Sequence, residues 1–103
     1  MNARERFSNA VGFKEADRIP ISFGTAQDSI HRDGEKALFE YYGIHDGETR
    51  IMDLSAQNVL PDERLLKRFH SDTLQLFPNP PSGYEPVIKD EGDYYTVFDR
   101  YLG

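Results

Sequence analysis

Residues 19–23, Ile19-Pro20-Ile21-Ser22-Phe23, form a short run of mainly apolar and β-branched side chains. Such a run predicts a β-strand, with Pro20 near its first residue or where no ladder N–H is needed. A second run of this kind, Thr73-Leu74-Gln75-Leu76-Phe77, follows at the far side of a helical stretch. This order is typical of a βαβ unit, in which two parallel strands are joined by a right-handed crossover.

Three helices are predicted around these two strands. Asn2 and Glu5 have the spacing of a capping box, and Gly12 is a natural stop, so the first helix is expected from Ala3 to Val11. Its apolar residues recur on one face, and Phe13 is placed to fold back onto them. The second helix is expected over residues 33–42, with a start near Ser29 as the alternative, and the third helix over residues 62–70. The stretch between them, residues 45–58, is expected to be a connection with room for a short helical turn.

The last part of the sequence predicts a β-hairpin. Val87-Ile88-Lys89 and residues 94–98 flank Asp90-Glu91-Gly92-Asp93, where Gly92 supplies a positive φ for the turn. The complete order is helix, strand, helix, helix, strand, hairpin. Two parallel strands make too small a sheet to bury both faces, so we expect residues 1–103 to be the front part of a larger α/β domain.

Composition excludes several classes of protein and site. The chain has 103 residues, 18 acidic and 12 basic, for a net charge of −6, so nucleic acid and anionic membranes are not expected partners. It has no cysteine, which excludes a disulfide framework, a thiolate zinc site and a cysteine nucleophile within these residues. No signal peptide or run of about 20 apolar residues is present in the sequence, and a cytoplasmic location is the default expectation.

Several phrases, taken in order, carry a resemblance. They are Asn2-Ala3-Arg4-Glu5-Arg6-Phe7, Phe13-Lys14-Glu15-Ala16-Asp17-Arg18-Ile19-Pro20-Ile21, Tyr42-Gly43-Ile44, Leu65-Leu66-Lys67-Arg68-Phe69-His70-Ser71-Asp72, and Asp90 to Tyr95 continuing to Asp99-Arg100-Tyr101. Together they resemble the N-terminal part of the uroporphyrinogen decarboxylase family. The Asp-Arg-Ile-Pro phrase is the most specific of them, and the final phrase is similar to the divergent branch that includes corrinoid-linked methyltransferases.

The resemblance implies both a fold and a function. The family fold is a (βα)8 TIM barrel, so these residues would hold its leading helix, its first two parallel strands and a hairpin. The full-length protein would be a tetrapyrrole carboxyl-lyase or a corrinoid-dependent methyltransferase acting on a tetrapyrrole-related or corrinoid-linked substrate. No cofactor is expected in this segment, whereas zinc and a corrinoid belong to the full-length protein if it is methyltransferase-like. The segment alone would be catalytically inert.

The sequence also departs from the family pattern. Decarboxylases follow the first strand with an Arg-Gln-Ala-Gly-Arg phrase that meets the substrate's carboxylates, and here only Arg32 could serve in that way. The aspartate that follows the second strand in decarboxylases falls on Asn79, which cannot hold the negative charge that stabilises a protonated pyrrole. Both departures favour the methyltransferase-like branch.

Barrel enzymes place their sites on the loops after the strands. The weak candidates for substrate contacts are therefore the polar residues of the first loop, and the weak catalytic candidate is Asn79. The first-loop residues are Gln27, Asp28, His31 and Arg32. The alternative interpretation is a solvated loop with a helix cap, and Asn79 is equally suited to a turn between prolines.

The three histidines, His31, His45 and His70, are too far apart to form a metal signature. The alternative to an enzyme segment is a small non-enzymatic α/β module that binds a partner through an exposed sheet edge.

Overall fold

The computed structural model describes residues 1–79, 82–83 and 85–98. Within these residues the chain forms three helices and two separate two-stranded antiparallel sheets. The helices are α1 (Ala3–Val11), α2 (Arg32–Tyr42) and α3 (Glu63–Arg68). The strands are β1 (Ile51–Asp53) paired with β2 (Asn58–Val59), and β3 (Val87–Asp90) paired with β4 (Tyr95–Phe98). No helix in the described part is long and apolar enough to cross a bilayer.

The predicted parallel strands at 19–23 and 73–77 are wrong. Both segments are extended and lie side by side, but they form no ladder. The donors that a ladder would use go to side chains instead: Ile21 N–H donates to the Asp72 carboxylate, and Phe23 N–H donates to the Ser71 hydroxyl. Pro20 contributes no N–H at all.

The expected N-terminal portion of a (βα)8 TIM barrel is therefore also wrong. Its defining feature would be two parallel strands joined by a helical crossover, and the described residues contain only antiparallel pairs. One backbone hydrogen bond, from Asp72 N–H to Ile21 O at 2.7 Å, joins the two extended segments.

The observed helices lie close to the ranges that local sequence signals predict. The capping box at α1 is confirmed, since Glu5 N–H donates to Asn2 Oδ1 and Asn2 N–H donates to the Glu5 carboxylate, each at 2.9 Å. Gly43 ends α2 with φ 67°, a left-handed conformation that suits glycine. The observed α2 and α3 differ from the predicted ranges only at their ends, and Asp62 is the N-cap of α3.

The β1–β2 hairpin was not predicted, because its sequence has no clear alternation. Its turn is closed by Asp53 Oδ1, which accepts from the N–H groups of Ser55 and Ala56 at 2.9 and 3.3 Å. β2 is also fixed from outside the hairpin, since Val59 N–H donates to Ile30 O at 3.0 Å. This bond connects the hairpin to the chain that leads into α2.

The core lies between α2, β2 and α3. Its buried apolar side chains are Phe39, Val59 and Leu65, of which the last two have no exposed surface. Gly24 packs so closely on the Pro61 ring that an added Cβ would lie 2.9 Å from it, and its φ is 92°. The loop before α2 therefore needs glycine at this position.

α1 lies outside this core. Its apolar residues Phe7 and Val11 are 50% and 62% exposed, and Phe13 is fully exposed rather than folded back onto them. The buried residue of α1 is Arg6.

The predicted hairpin at the end of the described chain is confirmed. β3 and β4 pair from Val87↔Phe98 to Asp90↔Tyr95, and Glu91 N–H donates to Tyr94 O at 2.9 Å across the turn. Gly92 has φ 92°, as the turn requires. Every residue of both strands is exposed, so the hairpin stands apart from the core.

Candidate functional site

A cluster of ion pairs connects the first helix to both extended segments. Arg6 Nε lies 2.7 Å from Asp17 Oδ1, and Arg6 Nη1 lies 2.5 Å from Asp72 Oδ1. Arg18 Nη1 reaches the other oxygen of Asp72 at 2.8 Å. We call Arg6, Asp17, Arg18 and Asp72 the ion-pair cluster. Its members are up to 66 residues apart in the chain.

The ion-pair cluster is well satisfied by hydrogen bonds. Asp72, whose side chain is 3% exposed, also accepts from Ile21 N–H at 2.9 Å, and that bond together with the two guanidinium groups lowers the pKa of its carboxyl. Hydrogen bonds from Arg6 lower the pKa of Asp17 to about 2. Paired charges of this kind hold backbone in place, so we assign the ion-pair cluster a positioning role.

The first-loop candidates divide between structural and available side chains. Asp28 closes the loop, since it accepts from Thr25 N–H at 2.7 Å and from the Ser22 hydroxyl. Partial burial acts to raise the pKa of Asp28, but these hydrogen bonds outweigh it and lower that pKa. His31 is the N-cap of α2, and its Nδ1 accepts from Asp33 N–H at 3.1 Å. Gln27 is exposed at the surface of the loop.

Arg32 is the candidate that faces a cavity. It begins α2 and lines a cleft of about 500 Å³ that has the β1–β2 turn on one side and the β3–β4 hairpin on the other. Its side chain is 46% exposed, and its Nε lies 3.9 Å from Asp33 Oδ1. We call this cavity the Arg32 cleft. Its other lining residues are Leu54, Ser55, Gln57, Gly92, Asp93, Tyr94, Tyr95 and Val97.

Gln57 is a lining residue that sequence reasoning missed. Its backbone is left-handed with φ 56°, an uncommon conformation for a residue other than glycine. Its amide nitrogen donates to Leu54 O at 2.5 Å, whereas its buried Oε1 has no hydrogen-bond partner among the described residues. Its own carbonyl accepts from Arg32 N–H at 3.0 Å, so the turn and the start of α2 are fixed to each other.

The chemistry of the Arg32 cleft is that of binding. A guanidinium can hold a carboxylate through two parallel hydrogen bonds, and Tyr94 and Tyr95 offer aromatic surface for a flat ligand. The Ser55 hydroxyl donates to Asp53 at 2.9 Å, but hydrogen bonds from Ser55 and Ala56 lower the pKa of the Asp53 carboxyl, which is therefore a weak base for activating Ser55. Tyr94 is 64% exposed, so its ring is accessible to a ligand.

Asn79 lies elsewhere in the molecule. Asn79 is exposed after the second extended segment and does not line the Arg32 cleft. Its assignment to catalysis stays a prediction. Within the described ranges, no group of three His, Cys, Asp or Glu side chains could hold a metal ion.

Comparisons with known proteins find no relative of this chain. A scan against protein-family models finds no match to this chain, and searches of curated proteins and of solved structures find no match either.

Proposed function

We propose that this chain is the N-terminal segment of a uroporphyrinogen decarboxylase-family enzyme. The observation that carries the proposal is the ion-pair cluster. Arg6 belongs to the first resembling phrase, Asp17 and Arg18 to the second, and Asp72 to the helix-ending phrase. The charged residues of three separate phrases thus meet in a single cluster. A shared structural role is a physical reason for these phrases to occur together.

The proposed substrate of the full-length enzyme is tetrapyrrole-related or corrinoid-linked. The Arg32 cleft supports this proposal because such molecules combine a large flat or puckered ring with side chains that end in carboxylate or amide groups. Arg32 would bind a carboxylate, and Tyr94 with Tyr95 would contact the ring. The chain would supply binding and orientation, and it would be inert without the remaining residues.

The proposed reaction is carboxyl removal or methyl transfer, and Asn79 favours methyl transfer. An amide there cannot stabilise a cationic pyrrole as a carboxylate would. The zinc of the methyltransferase branch does not fit this segment, which has no cysteine and, in its described ranges, no group of three ligands. We therefore place zinc and corrinoid only in the full-length protein and assign them no step here.

The test is a titration of the purified chain with a porphyrin polycarboxylate and, separately, with a cobalamin. The chain has 6 tyrosines and no tryptophan, and Tyr94 and Tyr95 line the Arg32 cleft, so a ligand bound there should quench part of the tyrosine fluorescence. Arg32→Ala should weaken porphyrin binding about tenfold, the value of one charge-assisted contact. Arg4→Ala removes an exposed guanidinium from α1 and is the matched control. Equal weakening in the two variants would contradict the assignment of Arg32.

A binding module remains the alternative function, and the β3–β4 hairpin favours it. All eight residues of its strands are exposed, although an isolated two-stranded hairpin is marginally stable in water. A partner that covers the hairpin would bury these exposed residues and stabilise the hairpin. If the alternative holds, hairpin amides would gain hydrogen-exchange protection in a partner complex while Arg32→Ala leaves that complex intact.

A further inference from the structure

His31 holds the first turn of α2 by a hydrogen bond that only the neutral imidazole can make. Its Nδ1 accepts from Asp33 N–H at 3.1 Å, which satisfies one of the N–H groups that a helix start leaves without an acceptor. A protonated imidazole carries hydrogen on both ring nitrogens and cannot accept. Because histidine is the side chain that ordinarily changes charge between about pH 5 and 8, this cap should depend on pH in that range.

The Asp33 carboxylate lies between His31 and Arg32. Its Oδ2 is 3.6 Å from His31 Nδ1, and its Oδ1 is 3.9 Å from Arg32 Nε. With His31 neutral, the Arg32 guanidinium is the cation beside this carboxylate. A proton on His31 Nδ1 places a second cation beside the other carboxylate oxygen and turns that nitrogen into a donor. Two cationic side chains then compete for one carboxylate.

The backbone around His31 is fixed to the β1–β2 hairpin. His31 forms an isolated bridge with Asn58, and Arg32 N–H donates to Gln57 O at 3.0 Å. Neither Gln57 nor Asn58 titrates. Within the described residues, Asp33 supplies the only carboxylate within 4.0 Å of the His31 ring nitrogens. A change in the charge of His31 therefore acts on its contacts with Asp33, while the backbone bonds to the hairpin hold residues 31–32 in place.

We propose that His31 is a proton-operated switch for the Arg32 cleft. At high pH the neutral imidazole caps α2, and the Asp33 carboxylate offsets part of the Arg32 charge. At low pH the protonated imidazole gives up the Asp33 N–H and pairs with the Asp33 carboxylate, which leaves the Arg32 guanidinium available to an anionic ligand. The only covalent change is the uptake of one proton from solvent at His31 Nδ1.

The effect of the switch on ligand binding should be small, because its side chains are exposed. His31 and Arg32 are 48% and 46% exposed, Asp33 is 80% exposed, and solvent weakens ion pairs of this kind. A carboxylate ligand of the Arg32 cleft should therefore bind about threefold more tightly when His31 is protonated. This consequence rests on the proposed function of the Arg32 cleft, whereas the exchange of contacts at the start of α2 does not.

NMR of the purified chain without ligand tests the exchange of contacts. The Asp33 amide resonance should shift as the pH is lowered from about 8 to about 5, with the same midpoint as the His31 imidazole. His31→Asn keeps a capping oxygen that does not titrate, so its Asp33 amide should stay in place over this range. His70→Asn is the control and should titrate as the native chain does, since His70 lies after α3 with φ 55°, a conformation that asparagine tolerates. An Asp33 amide that does not follow His31, or that shifts equally in His31→Asn, would overturn the proposal.

Titration with a porphyrin polycarboxylate at about pH 7.5 and about pH 6 tests the consequence for the Arg32 cleft. The native chain and His70→Asn should bind about threefold more tightly at the lower pH, and His31→Asn should lose this gain. Protonation of the porphyrin's own carboxyl groups affects all three chains alike. An equal gain in the native chain and His31→Asn would overturn the regulation by His31. Absence of porphyrin binding at both pH values would contradict the proposed function and with it this consequence, while the Asp33 amide decides the exchange of contacts on its own.

Discussion

Leu65 is the residue on which the small core depends most. It lies on α3 with no exposed surface, and α3 leads directly into the segment that holds Asp72. Leu65→Ala removes three buried carbons, which at about 0.8 kcal/mol each gives about 2.4 kcal/mol. The residual cavity adds to this loss, so we expect a decrease of about 3 kcal/mol in the free energy of unfolding.

Urea unfolding followed by far-ultraviolet circular dichroism measures this loss. With a slope of about 2 kcal/mol per molar urea, the midpoint should fall by about 1.5 M. Val11→Ala is the matched control, because Val11 is 62% exposed and its truncation should change the free energy by less than about 0.5 kcal/mol.

A similar loss in the free energy of unfolding for Leu65→Ala and Val11→Ala would refute this prediction. The prediction also fails if Leu65→Ala shifts the midpoint by less than about 0.5 M, because the core would then lie elsewhere than between α2, β2 and α3.

Two further predictions concern charged groups. Burial raises the pKa of Glu35 above the ordinary glutamate value, although Asp62 N–H donates to its carboxylate. As pH falls through this raised pKa, the folded state binds more protons than the unfolded state and stability rises. Thermal melts should show this rise for the native chain and a flatter profile for Glu35→Gln. At lower pH stability should fall, since Asp17 and Asp62 have pKa values of about 2 and their contribution is lost on protonation. Asp72→Asn leaves Arg6 and Arg18 facing a neutral amide, so the Ile21 amide should exchange with solvent markedly faster. The β3–β4 amides are the control and should exchange at unchanged rates. Hydrogen exchange measured by NMR checks this, and an unchanged Ile21 rate would contradict the role of the ion-pair cluster.

Local features of the fold were predictable because their causes are local. The capping box at Asn2 and Glu5, the left-handed Gly43 and the Gly92 turn each depend on residues within one turn of chain. The helix ranges followed from these signals.

The prediction of a parallel strand pair was wrong for a non-local reason. Residues 19–23 and 73–77 have the composition of strands, but Asp72 and Ser71 supply side-chain acceptors for the N–H groups of Ile21 and Phe23. A sequence pattern does not reveal that competition, because it depends on which segments become neighbours. The same applies to Arg6, which is buried only because Asp17 and Asp72 surround it.

The candidate site was predictable in part. Arg32 was identified by its residue type and loop, and it does line a cavity. Gln57 was missed because its signal is a left-handed backbone, which the weak pattern of residues 45–58 does not reveal. Asp28 and His31 were identified as polar, but their polar atoms close the loop and cap α2.

The family proposal is tested most directly by reading the coding frame on the 3′ side of codon 103. The family proposal predicts an open frame that continues well beyond codon 103, and a later His-x-Cys pair with a second cysteine would assign methyl transfer. A stop codon immediately after Gly103 would contradict the enzyme proposal and favour the binding module.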